Sequence, residues 1–233
     1  MIAVFSVVKL FFFGLLSLIS IILGAILYPF RINEVMMLIM RKFWSPVVLK
    51  LLGVKVKIEG FDKVDKNANY LIMANHNSFV DIPVLSHSLP FNTFFIAKQE
   101  LGKVPLLGWY IRASGMILID RSNRIKANQS IALAANYIGN GKVVIIFPEG
   151  TKSKDGNIAI FKKGGFHLAQ QAQTQILPIK IKGAREVWPN KRPFCLRRGV
   201  IKLIIGTPIQ PKELQSMEIG AQAEHVRSII TNL

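Results

Sequence analysis

An α/β fold, with a largely parallel central sheet flanked by helices and an N-terminal membrane-embedded helical segment, is what this sequence predicts. Three observations carry that expectation. Leu10 to Phe30 holds no charged residue and is long enough to span a hydrocarbon core. From Val54 onward, short apolar runs of strand character alternate with helical patterns, the signature of a sheet covered by helices. Charged and hydroxylic residues gather where several of those runs end, and open α/β sheets place ligands at the carboxyl ends of their strands.

Composition narrows the function classes. The 233 residues fit one domain with an added segment, here divided into an anchor over 1–53 and an α/β domain over 54–233. Lys and Arg number 30 against 13 Asp and Glu, a balance that favours an anionic partner: nucleic acid, anionic lipid, or an acidic substrate or carrier protein. The single Cys195 excludes an internal disulfide framework and a Cys-rich metal site.

Lys9 precedes the first apolar segment and Arg31 follows it. Its length, and the lack of an A-x-A-like site after it, favour a retained membrane segment over a cleaved signal peptide. Gly24 and Pro29 permit a bend, so crossing the bilayer and turning back within it both stay open. Val35 to Val54 mixes Phe43, Trp44 and aliphatic residues with Arg41, Lys42 and Lys50. That pattern suits a helix lying in the interface and equally an amphipathic helix packed on the core. Basic residues cluster after the first segment, which places the main domain on the cytoplasmic side.

Beyond it, strands are predicted at Val54–Glu59, Tyr70–Ala74, Thr93–Ala97, Met116–Asp120, Lys142–Phe147, Ile176–Ile181 and Val200–Ile205. Helices are predicted at Ile82–Ser88, Leu106–Ala113, Arg124–Ile138, Gly164–Gln173 and Pro211–Ile230. Ala184 to Arg198 reads as a basic surface loop. His87, His167 and His225 read as structural or surface histidines, and no metal spacing such as H-E-x-x-H occurs.

The stretch Asn75 to Asp81 sets a histidine and a carboxylate five apart where a strand gives way to a helix. On a regular helix five residues turn through roughly 500°, onto different faces. At a turn, the same spacing can bring Asp81 onto one nitrogen of His76 and leave the other to take a proton from a hydroxyl. The alternative is helix capping, with Asp81 at the N-terminus or in the box Ser78-x-x-Asp81. Phe147 to Ser153 (FPEGTKS) ends a strongly apolar strand in a carboxylate, a glycine, two hydroxyls and a cation. Such a set can grip a phosphate or a hydroxyl-rich headgroup. Lys98 closes the third strand and offers a further phosphate contact. Asp120-Arg121 closes the fourth, where a simple ion pair is the alternative.

Taken in order, these segments resemble the glycerolipid acyltransferase family, specifically the 1-acylglycerol-3-phosphate acyltransferases. N-H-x-x-x-x-D is matched by Asn75, His76 and Asp81. The Gly-to-Asp-Arg strand is matched by Gly115 to Arg121, F-P-E-G-T-[RK]-S by Phe147 to Ser153, and the Pro-containing apolar run by Ile176 to Ile179. The resemblance covers about residues 54 to 209. The chain departs from it at Lys180-Ile181-Lys182, where the family commonly has a further Pro and apolar residues, and at Lys152, where many members carry Arg.

The resemblance implies transfer of a fatty acyl group from a thioester to the sn-2 hydroxyl of lysophosphatidic acid, giving phosphatidic acid in phospholipid biosynthesis. It implies His76 as general base and Asp81 as its orienting partner. Glu149, Gly150, Thr151 and Lys152 would bind the acceptor, with Lys98 and Arg121 as further phosphate contacts. It implies no tightly bound cofactor and no metal. The co-substrate would be acyl-CoA or acyl-acyl carrier protein, and the partners would be membrane lipid and an anionic bilayer surface, not nucleic acid. The expected place is a membrane such as a bacterial inner membrane, with the catalytic domain on its cytoplasmic face. The rivals are an acyltransferase for glycerol-3-phosphate or another lysophospholipid, and a non-catalytic basic membrane tether.

Overall fold

The computed structural model describes residues 2–30, 32–120, 122–190 and 194–233. The N-terminal helix α1 runs Ile2–Leu27 and ends in a 3₁₀ turn at Tyr28–Phe30, where Pro29 supplies no donor to continue it. Its faces differ. Leu10, Phe13 and Leu16 pack on the core, Ser17, Ser20 and Ile21 line a cavity, and Gly24 meets Tyr110. The three-to-four spacing of these residues defines one helical stripe. A Cβ at Gly24 would lie 2.7 Å from the Tyr110 ring, so only glycine permits this approach. Phe11, Phe12, Leu15, Leu18, Ile19, Ile22 and Ile26 on the other face stay exposed.

Helix α2 (Asn33–Ile39), a π-helical turn (Met40–Trp44) and α3 (Ser45–Leu52) follow. Met36, Met37, Met40, Val48, Leu49 and Leu52 are buried, so packing on the core is realised. Val35, Leu38, Phe43 and Val47 nevertheless leave a second apolar face open.

The sheet has seven strands: β1 (Val54–Glu59), β2 (Tyr70–Ala74), β3 (Thr93–Lys98), β4 (Ile117–Ile119), β5 (Val143–Ile146), β6 (Gln175–Lys182) and β7 (Gly199–Ile205). Their order is β1-β7-β6-β2-β5-β3-β4, and every pairing is parallel except β6 with β7. Every residue of β2 and β5 is buried, as befits central strands covered on both faces. The covering helices are α4 (Asp81–Ser88), α5 (Leu107–Ala113), α6 (Arg124–Gly139), α7 (Gly164–Ala172), α8 (Ala184–Val187), α9 (Pro211–Leu214) and α10 (Ile219–Asn232).

This order positions the site. From β2 the chain passes over β5 to reach β3, whereas from β5 it passes over β2 to reach β6. The two connections leave in opposite directions, which opens a crevice at the carboxyl ends of β2 and β5.

Two expectations are corrected. The predicted helix Pro211–Ile230 is two helices, because the buried Gln222 side chain donates to the Leu214 and Met217 carbonyls and so satisfies the end of the first. Ala184 to Arg198 is not a surface loop throughout. It opens with α8, and Trp188 and Leu196 are buried.

Candidate active site

His76 follows β2 at the crevice, and α4 begins five residues later at Asp81. Asp81 is fully buried, and its Oδ2 accepts from His76 Nδ1 at 2.8 Å, Asn77 N at 2.7 Å and Ser78 N at 2.8 Å. Helix α4 begins at Asp81 itself, with no side-chain cap bond at its N-cap Val80, so the carboxylate turns back to the preceding loop instead of capping the helix. With Nδ1 turned to a carboxylate, the imidazole is the tautomer that carries its proton there and leaves Nε2 as an acceptor. The ring stacks on Phe147 at 4.1 Å between centroids and 16° between planes.

The second segment closes over the first. The Gly150 N–H closes a turn onto the Phe147 carbonyl at 2.9 Å, and its φ of +74, open to glycine, redirects the chain that follows. Ser153 N donates to the His76 carbonyl at 2.8 Å. Glu149 is 3% exposed; Oε1 accepts from His76 N at 2.7 Å and Oε2 from Ala159 N at 3.0 Å. Both oxygens expected to face an acceptor are therefore spent on backbone donors. Burial pushes the Glu149 carboxyl up, opposed by those two bonds and by His76.

Lys152 lies with Nζ 2.9 Å from the centroid of the Phe79 ring. Burial lowers its ammonium pKa, with Asp81 pulling the other way. Lys98, Gly150, Thr151, Lys152 and His76 all line one cavity of about 600 Å³. Its remaining walls are mostly apolar and include Phe13 and Ile21 of α1, Trp44, Phe95 and Tyr110. Burial raises the Tyr110 phenol to about 12, so this wall stays uncharged. Arg121 lies outside the described residues; beside it, Asp120 accepts from Ser122 N at 2.8 Å and pairs with Lys126 at 3.6 Å.

His87, His167 and His225 are exposed. Among the described residues no three His, Cys, Asp or Glu side chains converge on a metal position. A cavity of about 630 Å³ at the opposite ends of the strands is lined by Gln170, Gln173, Gln210 and Gln215 with Thr174 and Lys212, and brings together no carboxylate, histidine or cysteine.

Sequence reasoning missed the segment after α8. Asn190 Nδ2 donates to the Asn77 carbonyl at 2.7 Å and to the Ser153 carbonyl at 3.1 Å, joining the two site segments through one amide. Ser78 Oγ donates to the Trp188 carbonyl at 2.9 Å. The Trp188 ring packs between Phe13 of α1 and Phe79 of the site. The N–H of Leu196 donates to Ser6 Oγ at 3.1 Å, which ties the same segment back to α1.

An imidazole held by a buried carboxylate, beside a cation and at an apolar cavity, is an arrangement able to take a proton from a hydroxyl of a molecule with an apolar part. Comparison with known proteins narrows this further. Residues 55–182 match the acyltransferase family, and the chain belongs to it. A 1-acyl-sn-glycerol-3-phosphate acyltransferase of Saccharomyces cerevisiae is 37% identical over 185 residues, 77% of this chain and 60% of that protein. The enzyme of that name from Limnanthes douglasii is 37% identical over 152 residues, 65% of this chain and 53% of that protein. The chain thus spans less than two thirds of these relatives' own lengths. The crystal structure of the 1-acyl-sn-glycerophosphate acyltransferase PlsC from Thermotoga maritima superposes with a TM-score of 0.82 at 26% identity, covering 100% of this chain and 95% of that one.

Proposed function

We propose that the chain transfers a fatty acyl group from an acyl thioester to the sn-2 hydroxyl of lysophosphatidic acid, giving phosphatidic acid. The observation that carries this reading is the His76–Asp81 pair at 2.8 Å, set in the lining of an apolar cavity that also receives Lys152. The similarity to 1-acyl-sn-glycerol-3-phosphate acyltransferases supports the acceptor.

His76 Nε2 takes the proton of the acceptor hydroxyl as its oxygen attacks the thioester carbonyl. Asp81 offsets the imidazolium that forms. Collapse of the tetrahedral intermediate breaks the C–S bond, and the imidazolium returns its proton to the departing thiolate. No acyl-enzyme is required, and Cys195 has no part. The N–H groups of Asn77 and Ser78 are taken by Asp81, that of Gly150 by Phe147 and that of Ser153 by His76. The amides of Thr151 and Lys152 are among those left in this segment to receive a developing oxyanion or a phosphate. Lys152, Lys98 and Arg121 supply cationic charge for the phosphate. Glu149 acts through the backbone of His76 as a positioning residue, and Asn190 does the same through Asn77 and Ser153.

Residues 1–53 serve as the anchor. Between Ser6 and Gly24, α1 advances about 27 Å at 1.5 Å per residue, and contacts with the catalytic domain occur at both ends of that stretch. A perpendicular crossing of a core about 30 Å thick would draw charged surface into hydrocarbon. A monotopic arrangement, with the exposed apolar faces of α1, α2 and α3 in one leaflet, avoids that cost. The excess of Lys and Arg after α1 favours the cytoplasmic face, such as that of a bacterial inner membrane.

The acceptor is tested by offering lysophosphatidic acid, glycerol-3-phosphate and lysophosphatidylcholine with one acyl thioester in lipid vesicles. Phosphatidic acid as the dominant product supports the reading. Preferred acylation of glycerol-3-phosphate or lysophosphatidylcholine replaces the acceptor, and no product from any of the three leaves the tether.

A further inference from the structure

On the proposed activity rests a question the site leaves open: what delivers the acyl chain. The edge of the sheet speaks to it. Register pairs Lys57 of β1 with Lys202 of β7, and Lys202 with Lys182 of β6. Paired residues share a face, so these three lysines form a row across three adjacent strands. Lys55 lies on the same face two residues before Lys57, and Lys180 two residues before Lys182, by the period of two along each strand. Glu59 is the one acid of this face within the paired segments, 3.3 Å from Lys202.

Lys55, Lys57, Lys182, Val200 and Lys202 are exposed, whereas Ile179, Ile181, Ile201 and Leu203 on the reverse face are buried. Helices α3 and α4 pack against β1, and α1 packs on α3. The lysine face is therefore turned away from the apolar helix α1 and toward water.

Ordinary structural needs account for part of this array. Lysines on an edge strand such as β1 discourage pairing with another chain. Lys180 and Lys182 donate to the Thr231 and Leu233 carbonyls at the end of α10, where cations suit the helix dipole. Lys202, on an interior strand, pairs with Glu59 on one side, yet it still stands directly between Lys57 and Lys182, where like charges opposite one another destabilise a sheet.

The row also begins beside the catalytic turn. Asn75, which precedes His76, donates to the Ile181 carbonyl at 3.0 Å and accepts from Ile181 N at 2.7 Å, and Lys182 is the next residue. From there the basic surface continues through Arg185, whose Nη2 donates to the Lys154 carbonyl beside Ser153. Because β1 and β7 run antiparallel to β6, Lys55 lies at the same end of the sheet as His76. Three strands at about 4.8 Å spacing carry the row over roughly 10 Å, broader than a single phosphate.

We propose that this face of β1, β7 and β6 docks an acidic carrier protein that presents the acyl thioester to His76. Charge complementarity commits the face to an acidic protein, and its direction away from α1 argues against bilayer lipid.

The test uses the full chain in neutral vesicles containing lysophosphatidic acid, with one acyl group supplied either on acyl carrier protein or on coenzyme A. The double variant Lys57→Glu/Lys202→Glu is compared with wild type and with Lys66→Glu/Lys212→Glu, an equal charge change on other exposed lysines. The proposal expects kcat/KM with the carrier-protein donor to fall about tenfold or more in the first variant alone. Activity with the coenzyme A donor should stay within about twofold, which also reports an intact fold, and raised salt should erase the wild-type advantage. An unchanged carrier-protein rate overturns the proposal. So does a wild type active only with coenzyme A, an outcome that leaves the acyl transfer standing. A parallel loss with both donors, together with weaker flotation on anionic vesicles, reassigns the face to lipid. No product with either donor refutes the acyl transfer itself and the docking with it.

Discussion

Replacing Glu149 separates two roles for the same carboxylate. If it holds the backbone of His76, as its bonds to His76 N and Ala159 N indicate, the damage falls on the catalytic turn. Each bond joins a backbone donor to an ionised acceptor, a type worth about 1.5–3 kcal/mol. Glutamine keeps an oxygen for one donor and turns an NH2 toward the other. The loss is partly recovered because a buried amide escapes the desolvation that pushes the Glu149 carboxyl up. A net cost of roughly 1–3 kcal/mol follows, equivalent to about 2–4 °C in Tm for each kcal/mol in a chain of this size. Initial rates measured against lysophosphatidic acid should show kcat reduced about tenfold or more with KM little changed. A raised KM at nearly normal kcat would refute the positioning role and return Glu149 to direct contact with the acceptor.

The same group gives a pH signature. A carboxyl raised in the folded state adds stability that is fully present below its ordinary value of 4.5 and is lost as pH climbs through the raised value. Glu149→Gln removes that titration. Its stability deficit, followed by denaturant unfolding, should therefore narrow as pH rises through this window. A deficit that widens there would contradict the buried, desolvated carboxylate.

Other substitutions probe the remaining contacts. Asp81→Asn preserves shape while removing the charge opposite His76 Nδ1, and kcat should fall by about 10³–10⁴, read by product formation in the folded variant. Asn190→Ala strips donors from the Asn77 and Ser153 carbonyls and should cost about 2–4 kcal/mol of stability in denaturant titration. Its kcat should fall more than its KM rises, whereas unaltered kcat would make the amide purely structural. Lys152→Ala should raise KM for lysophosphatidic acid about tenfold or more through a lost charge-assisted contact, and Lys152→Arg should restore most of it.

What was legible in the sequence depended on how local the signal was. The H-x₄-D spacing sat between a clear strand and a proline-containing helix start, so a short loop sufficed to bring Asp81 onto His76. The strands were equally plain, because β2 and β5 are uninterrupted apolar runs; β2 has the expected ends and β5 is one residue shorter at each. Which way Glu149 turns was not legible, since its partners are 73 residues upstream and 10 downstream. Asn190 was hidden more deeply. It lies among prolines, lysines and arginines with the composition of a surface loop, and its bond to Asn77 spans 113 residues. The break between α9 and α10 escaped for a similar reason, because a helical Gln222 folds back to cap the preceding turn.

The most direct measurement compares wild type with His76→Ala for phosphatidic acid formed from lysophosphatidic acid and an acyl thioester in vesicles, with folding checked by circular dichroism. Product from wild type, reduced at least about a thousandfold in a folded variant, is the predicted result. Product from both at comparable rates would contradict the account, leaving the reaction in place but removing His76 from its centre.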